Sequence, residues 1–130
     1  MENECRSNII KLHEFIESWL KGSADKNKQV FQYFEDTLHS DFTIVHPSGE
    51  LQTKDQITND LWSAYGVKSE TFCIKISDII LRDITDTLCL LNYEEHQEGN
   101  ETTTRISSVT FKKSEIGNNF LWFHLHETWR

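Results

Sequence analysis

The second half of this chain is written with a two-residue period. From Ser69 onward, β-branched, aromatic and aliphatic residues alternate with polar ones, and the runs break at Asp83–Asp86, Gly99-Asn100 and Ser114–Asn119. Successive side chains of a strand point to opposite faces of a sheet, so this pattern suits half-buried strands and fits a helix badly. It predicts strands over about 71–81, 87–97, 102–112 and 120–129, joined as a meander.

The first half follows a helical period. Ile9, Leu12, Ile16 and Trp19/Leu20 form one stripe, which predicts a helix from Ser7 to Lys21 ended by Gly22-Ser23. Val30, Phe31, Phe34 and Leu38 predict a second helix from Asp25 to His39. A short strand, Phe42 to His46, stops at Pro47-Ser48-Gly49. Thr53-Lys54-Asp55-Gln56 has the form of a capping box, in which the Thr and Gln side chains each satisfy a free backbone N–H. A third helix carrying Ile57, Leu61 and Tyr65 follows it and closes at Gly66. Helices first and a meander afterwards imply the α+β class, with the helices on one face of a mainly antiparallel sheet. A length of 130 residues without repeats or linkers implies one domain, residues 1–130.

Register follows from the face pattern. If the first hairpin turns at Gly99-Asn100, Glu95 faces Arg105, Tyr93 faces Ser107, Leu91 faces Val109 and Cys89 faces Phe111. If the second turns near Ile116, Arg105 faces Glu127, Leu125 faces Ser107, Phe123 faces Val109 and Leu121 faces Phe111. The covered face then changes from apolar to polar at Tyr93/Ser107 and ends in the row Glu95–Arg105–Glu127. The open face carries Trp122, His124 and His126, an aromatic surface suited to pairing with a second copy. The charged row has two readings. It is the polar lining of a pocket under the sheet, or a plain cross-strand ion pair.

The ending Phe120-Leu121-Trp122-Phe123-His124-Leu125-His126-Glu127-Thr128-Trp129 resembles the last strand of nuclear transport factor 2-like (SnoaL-like) domains. Leu90-Leu91-Asn92-Tyr93-Glu94-Glu95-His96-Gln97 resembles an earlier strand of the same group. Asn59-Asp60-Leu61-Trp62-Ser63 is similar to a third-helix motif in the association domain of calcium/calmodulin-dependent kinase II, a member of that superfamily. The resemblance implies a cone-shaped fold, a cavity between helices and sheet, and a homodimer formed through the outer sheet face. It departs at Glu127, where the association domain has a pocket arginine directly after His-x-His, so that pocket's carboxylate-binding character does not transfer. The superfamily holds binding modules, enzymes and assembly domains, and the fold does not choose among them.

Several chemistries are open to these residues. Arg105, Glu95, Glu127 and Tyr93 are candidate ligand-binding groups, joined by Trp62 from the third helix and His46 beside its turn. Glu95 or Glu127 as a general base, with Tyr93 donating to an oxyanion, would suit an acid/base enzyme of isomerase, cyclase or dehydratase type. An adjacent guanidinium makes a carboxylate a weaker base, which favours binding over catalysis. His124-Leu125-His126 would bring two imidazoles to one face, with Glu94 as a third metal ligand, but hydrogen-bonding roles account for them more simply. No metal and no cofactor is expected. The leading expectation is a small-molecule-binding homodimer, with the acid/base enzyme and a pure oligomerisation module as alternatives.

Charge and hydropathy exclude other partners. The formal net charge is −8 and the only basic pair is Lys112-Lys113, poor ground for nucleic acid or an anionic membrane. No apolar run approaches the ~20 residues of a spanning helix. The acidic start, Met1-Glu2-Asn3-Glu4, leads into no apolar signal segment, so a cytoplasmic location is expected. Cys73 and Cys89 read as small buried hydrophobes within strands.

Overall fold

A computed structural model describes residues Met1–Arg130. In chain order the elements are α1 (Glu2–Lys21), α2 (Lys28–Thr37), β1 (Leu38–Val45), β2 (Leu51–Thr53), α3 (Lys54–Ser63), β3 (Cys73–Ile84), β4 (Leu88–Glu98), β5 (Thr103–Lys113) and β6 (Phe120–Trp129). The strands form a six-stranded, curved and unclosed sheet in the order β2-β1-β6-β5-β4-β3. The three helices pack on one face of it, the expected α+β arrangement. No helix is long and apolar enough to cross a membrane.

Tertiary contacts moved the helix boundaries. α1 starts earlier than its apolar stripe because its first turns are tied to the sheet. Glu4 Oε2 accepts from the Phe120 N–H at 2.8 Å, Arg6 Nη1 donates to the Ile79 carbonyl at 2.8 Å, and Cys5 is fully buried. α2 is shorter than expected, capped by the Asn27 side chain on the Val30 N–H at 2.8 Å. Its expected last residues, Leu38 and His39, are already extended and open β1. The capping box of α3 is formed, with Thr53 N–H donating to Gln56 Oε1 at 2.9 Å and Gln56 N–H to Thr53 Oγ1 at 3.4 Å.

The helix layer meets in an aromatic cluster. The Trp19 indole N–H donates to the Leu61 carbonyl at 2.7 Å, and Trp19 packs on Phe31, Trp62 and Tyr65 at ring separations of 4.8, 5.2 and 4.8 Å. Gly22, with φ +75°, ends α1 in the left-handed region that favours glycine, and an added Cβ would come within 3.2 Å of the Gly66 Cα, so a side chain at this crossing would have to push the backbone back by a few tenths of an ångström.

The first long hairpin has the expected register: Glu95 pairs with Arg105, Tyr93 with Ser107, Leu91 with Val109 and Cys89 with Phe111. The second does not. It closes on Lys113 and Phe120, one residue away from the expected centre, and an irregularity at Phe123 adds a second residue of offset. Glu127 therefore pairs with Ser107, and Arg105 with Trp129. A two-residue offset keeps side chains on the same face, so Glu127 and Leu125 still point inward. On the near side of the irregularity the offset is one residue, and the faces are exchanged. Trp122 pairs with Phe111 and is fully buried. The expectation that Trp122 lies on the outer face is thereby corrected. Phe123, expected inside, packs beside His39 at 5.2 Å and Lys112 at 5.0 Å.

Three further features depart from the sequence reading. β2 had not been expected, and it pairs with β1 through Thr43–Thr53, Ile44–Gln52 and Val45–Leu51. β1 runs parallel to β6, the one parallel pairing in the sheet. Cys73 is half-buried at the edge of the sheet, whereas Cys5 and Cys89 are sealed in the core.

Candidate functional site

Between the helices and the inner sheet face lies a cavity of about 270 Å³. Leu12, Ile16 and Leu20 of α1, Ile57 and Leu61 of α3, and Phe42 and Ile44 of β1 give it an apolar wall. Its polar end is made by His13, His46, Glu95, Gln97, Arg105 and Glu127. The apolar part follows from the stripes that face the sheet; the polar part needs a separate account, because buried charges persist only when paired.

The central pair is His13 and Glu95. Nδ1 of His13 contacts the Ile9 carbonyl, one helical turn back, at 2.7 Å. A carbonyl only accepts, so Nδ1 carries a proton. Nε2 lies 3.1 Å from Glu95 Oε1, and the second Glu95 oxygen accepts from Gln97 Nε2 at 2.7 Å. Both groups are almost fully buried, at 5% and 4% exposure. With Nδ1 protonated, a neutral imidazole would turn a lone pair toward the carboxylate, so the contact needs a further proton, and the opposite shifts of the two groups put it on His13 as an imidazolium–carboxylate pair. Burial works against charge on both. The mutual attraction outweighs it, raising His13 above its ordinary pKa and, with help from Arg105, holding Glu95 down at about 2.

The second pair is Arg105 and Glu127. Arg105 Nη1 donates to Glu127 Oε1 at 3.2 Å, and the guanidinium lies 4.8 Å from the centre of the Trp129 ring. Burial and then the negative charge of Glu95 push the Glu127 carboxyl up, and Arg105 and His13 offset only part of that. Two neighbouring carboxyl groups are thus driven in opposite directions.

The remaining sequence-predicted residues are placed as follows. His46 lines the cavity, with Nε2 donating to Gln52 Oε1 at 2.6 Å. Tyr93, expected among the ligand-binding groups, is fully buried and does not line the cavity; its ring is 5.4 Å from that of His13, and its hydroxyl sits beside Ser107 without a hydrogen-bond partner. Burial, then Glu95 and Glu127, raise that phenol well above its ordinary pKa, so it remains protonated. Trp62 is not on the cavity wall; it packs among Trp19, Phe31 and Lys28, in the helix layer. His124 Nδ1 contacts Thr43 Oγ1 at 2.7 Å, and His126 is exposed. No group of three or more His, Cys, Asp or Glu is arranged to hold a metal ion.

Sequence reasoning missed His13. It lies one turn after Ile9 and next to Leu12, on the buried side of α1, and a histidine inside an apolar stripe was the available signal.

Comparison with known proteins supports this architecture. A family model described as sucrose-6-phosphate phosphohydrolase C-terminal matches residues 5–130. An NTF2-like protein of unknown function from Pseudomonas aeruginosa superposes with a TM-score of 0.87 at 24% identity, covering 98% of each chain. The CaMKII hub homology domain of Chlamydomonas reinhardtii gives 0.66 at 11% identity over 97% of this chain and 98% of its own. A ketosteroid isomerase-like protein from Shewanella frigidimarina gives 0.62 at 13% identity, covering 75% of this chain and 80% of its own. These likenesses show a nuclear transport factor 2-like fold. With the family model matched from Cys5 to the last residue, the chain belongs to the sucrose-6-phosphate phosphohydrolase C-terminal family.

Proposed function

We propose that this single-domain chain binds a small organic molecule in the cavity between its helices and its sheet, and does so as a homodimer. One observation carries the reading: an apolar cavity of about 270 Å³ ends in buried charged groups that are matched against one another. Ligand sites combine apolar walls with a few placed polar groups in this way. A pure oligomerisation module has no need of such a cavity. The volume lies just below the range of drug-sized ligand sites and suits a compact ligand. Each cation in it already faces a carboxylate, which is poor ground for a phosphate dianion.

Ile80, Leu88, Leu90 and Ile106 are exposed apolar side chains on the outer face of the sheet, 37–44% accessible. They support a second copy packing on that face. The three free thiols suit a reducing compartment, and we place the protein in the cytosol.

An acid/base enzyme is the second reading, favoured by the divergence of Glu95 and Glu127. A carboxyl held up beside an ionised neighbour is the usual arrangement for proton transfer. Glu127 would be the proton-transferring group, with Glu95 neutralised by His13.

A fragment library screened by amide chemical-shift perturbation tests the binding reading. Hits should shift Leu12, Ile16, Ile57 and Leu125, and should be lost in Ile57→Trp, which fills the cavity. Arg105→Met should weaken them more than His124→Ala/His126→Ala. Hits that survive Ile57→Trp in a folded protein would move the site elsewhere.

A further inference from the structure

The two buried ion pairs differ in how much hydrogen-bonding capacity they leave over. Glu95 has a partner on each oxygen, His13 on one and Gln97 on the other. Arg105 and Glu127 meet through one contact only, Nη1 to Oε1 at 3.2 Å. A bidentate pairing would have used both carboxylate oxygens. Here Glu127 Oε2 meets no donor from the protein, yet it is not among the sealed, partnerless atoms of the interior. Arg105 keeps 15% of its side-chain area accessible, and its Nη2 also meets no protein acceptor. Both residues line the cavity. The polar end of the cavity therefore holds an ion pair with hydrogen-bonding capacity unused on both partners, a guanidinium N–H on one and a carboxylate oxygen on the other.

Resting on the binding function proposed above, we infer that the ligand is a neutral hydroxyl compound, an alcohol with a compact apolar body, and not an acid or an amine. A hydroxyl group gives its hydrogen to Glu127 Oε2 and receives the Arg105 N–H on its oxygen, matching both at once. A carboxylate satisfies Arg105 but sets a second anion against Oε2 with no proton between them. An ammonium satisfies Glu127 and opposes Arg105 and His13. The four charged groups, His13, Arg105, Glu95 and Glu127, sum to zero, so an ion of either sign enters uncompensated. The upward push on the Glu127 carboxyl, from burial and from Glu95, shows that further negative charge is already disfavoured there. The walls select the body of the ligand, being mostly aliphatic and aromatic.

The test uses three probes sharing one ring, cyclohexanol, cyclohexanecarboxylate and cyclohexylamine, titrated into the intact protein at pH 7.5 and followed by amide chemical shifts. Cyclohexanol is expected to bind, with the other two at least about tenfold weaker, the scale of one charge-assisted hydrogen bond. Glu127→Gln should strengthen the carboxylate about tenfold or more and weaken the alcohol a few-fold, because the amide keeps an acceptor for Arg105 and turns a donor to the cavity. The wild-type comparison decides without any variant. If the carboxylate or the amine binds as tightly as the alcohol, the ligand class is wrong while the cavity keeps its function. If none of the three shifts the cavity residues, the binding function fails and this inference fails with it.

Discussion

His13 Nε2 stands 3.1 Å from Glu95 Oε1, while Nδ1 of the same ring is committed to the Ile9 carbonyl at 2.7 Å. Helix and sheet are thus joined at the cavity by a proton that neither partner can release without leaving a charge or a lone pair unmatched in the interior. The geometry makes the pair a structural clamp as well as part of the wall.

Replacing one side of that clamp should be costly. His13→Leu leaves the buried Glu95 carboxylate facing an apolar group, and about 3 kcal/mol of stability should be lost, as for other broken buried pairs. His13→Leu/Glu95→Leu removes both charges and should recover a large part of the loss. Urea denaturation of the three proteins checks it. A single variant within about 0.5 kcal/mol of wild type, the range of an ordinary surface change, would mean that the pair is not an ion pair.

The pH dependence should have two arms. Glu95 is held at about 2, below its unfolded value, so its contribution is present above pH 4.5 and lost as pH falls from there toward 2. His13 is raised, so its contribution is full below its unfolded value of 6.5 and lost as pH rises through the folded one. Glu127, also raised, takes stability away as pH rises from 4.5 through its folded value. Urea midpoints from pH 3 to 9 should peak on the acidic side of neutrality. Glu127→Gln should flatten the fall just above 4.5 and leave the alkaline loss in place. A midpoint that keeps rising from pH 6 to 9 would contradict the placement of both groups.

Trp122 and the outer face should separate by phenotype. Trp122 is fully buried against Phe111 at 4.9 Å, so Trp122→Ala should cost on the order of 3–5 kcal/mol. Leu90→Asp/Ile106→Asp lies on the other face and should leave the fold intact while converting the proposed dimer to a monomer. Light scattering and circular dichroism together report both. A wild-type protein that is monomeric at tens of micromolar, where a ~1 μM dimer would be mostly assembled, contradicts the dimer.

Thr53→Ala removes the acceptor for the Gln56 N–H and half of the capping box, at a cost of about 1 kcal/mol. Neither Thr53 nor Gln56 lines the cavity, so probe affinities should stay unchanged. A loss of affinity equal to that of Arg105→Met would show that α3 positioning governs the site.

The sequence alone determined those features whose cause is local. The helical stripes, the capping box at Thr53, the two-residue alternation and the register of the Gly99-Asn100 hairpin each depend on residues within one element or one turn. The inward direction of Arg105 and Glu95 follows from that same hairpin. Tertiary structure decided the rest. β2 and the parallel β1–β6 pairing join segments that carry no mutual signal, and the irregularity at Phe123 exchanged the faces of β6 partway along, burying Trp122. Bulges answer to sheet curvature and neighbouring strands, which a period count does not contain. His13 finds its partner 82 residues away. Its charge, the depressed Glu95 and the free oxygen of Glu127 arise only where helix and sheet close over one another, because burial is what makes pairing obligatory.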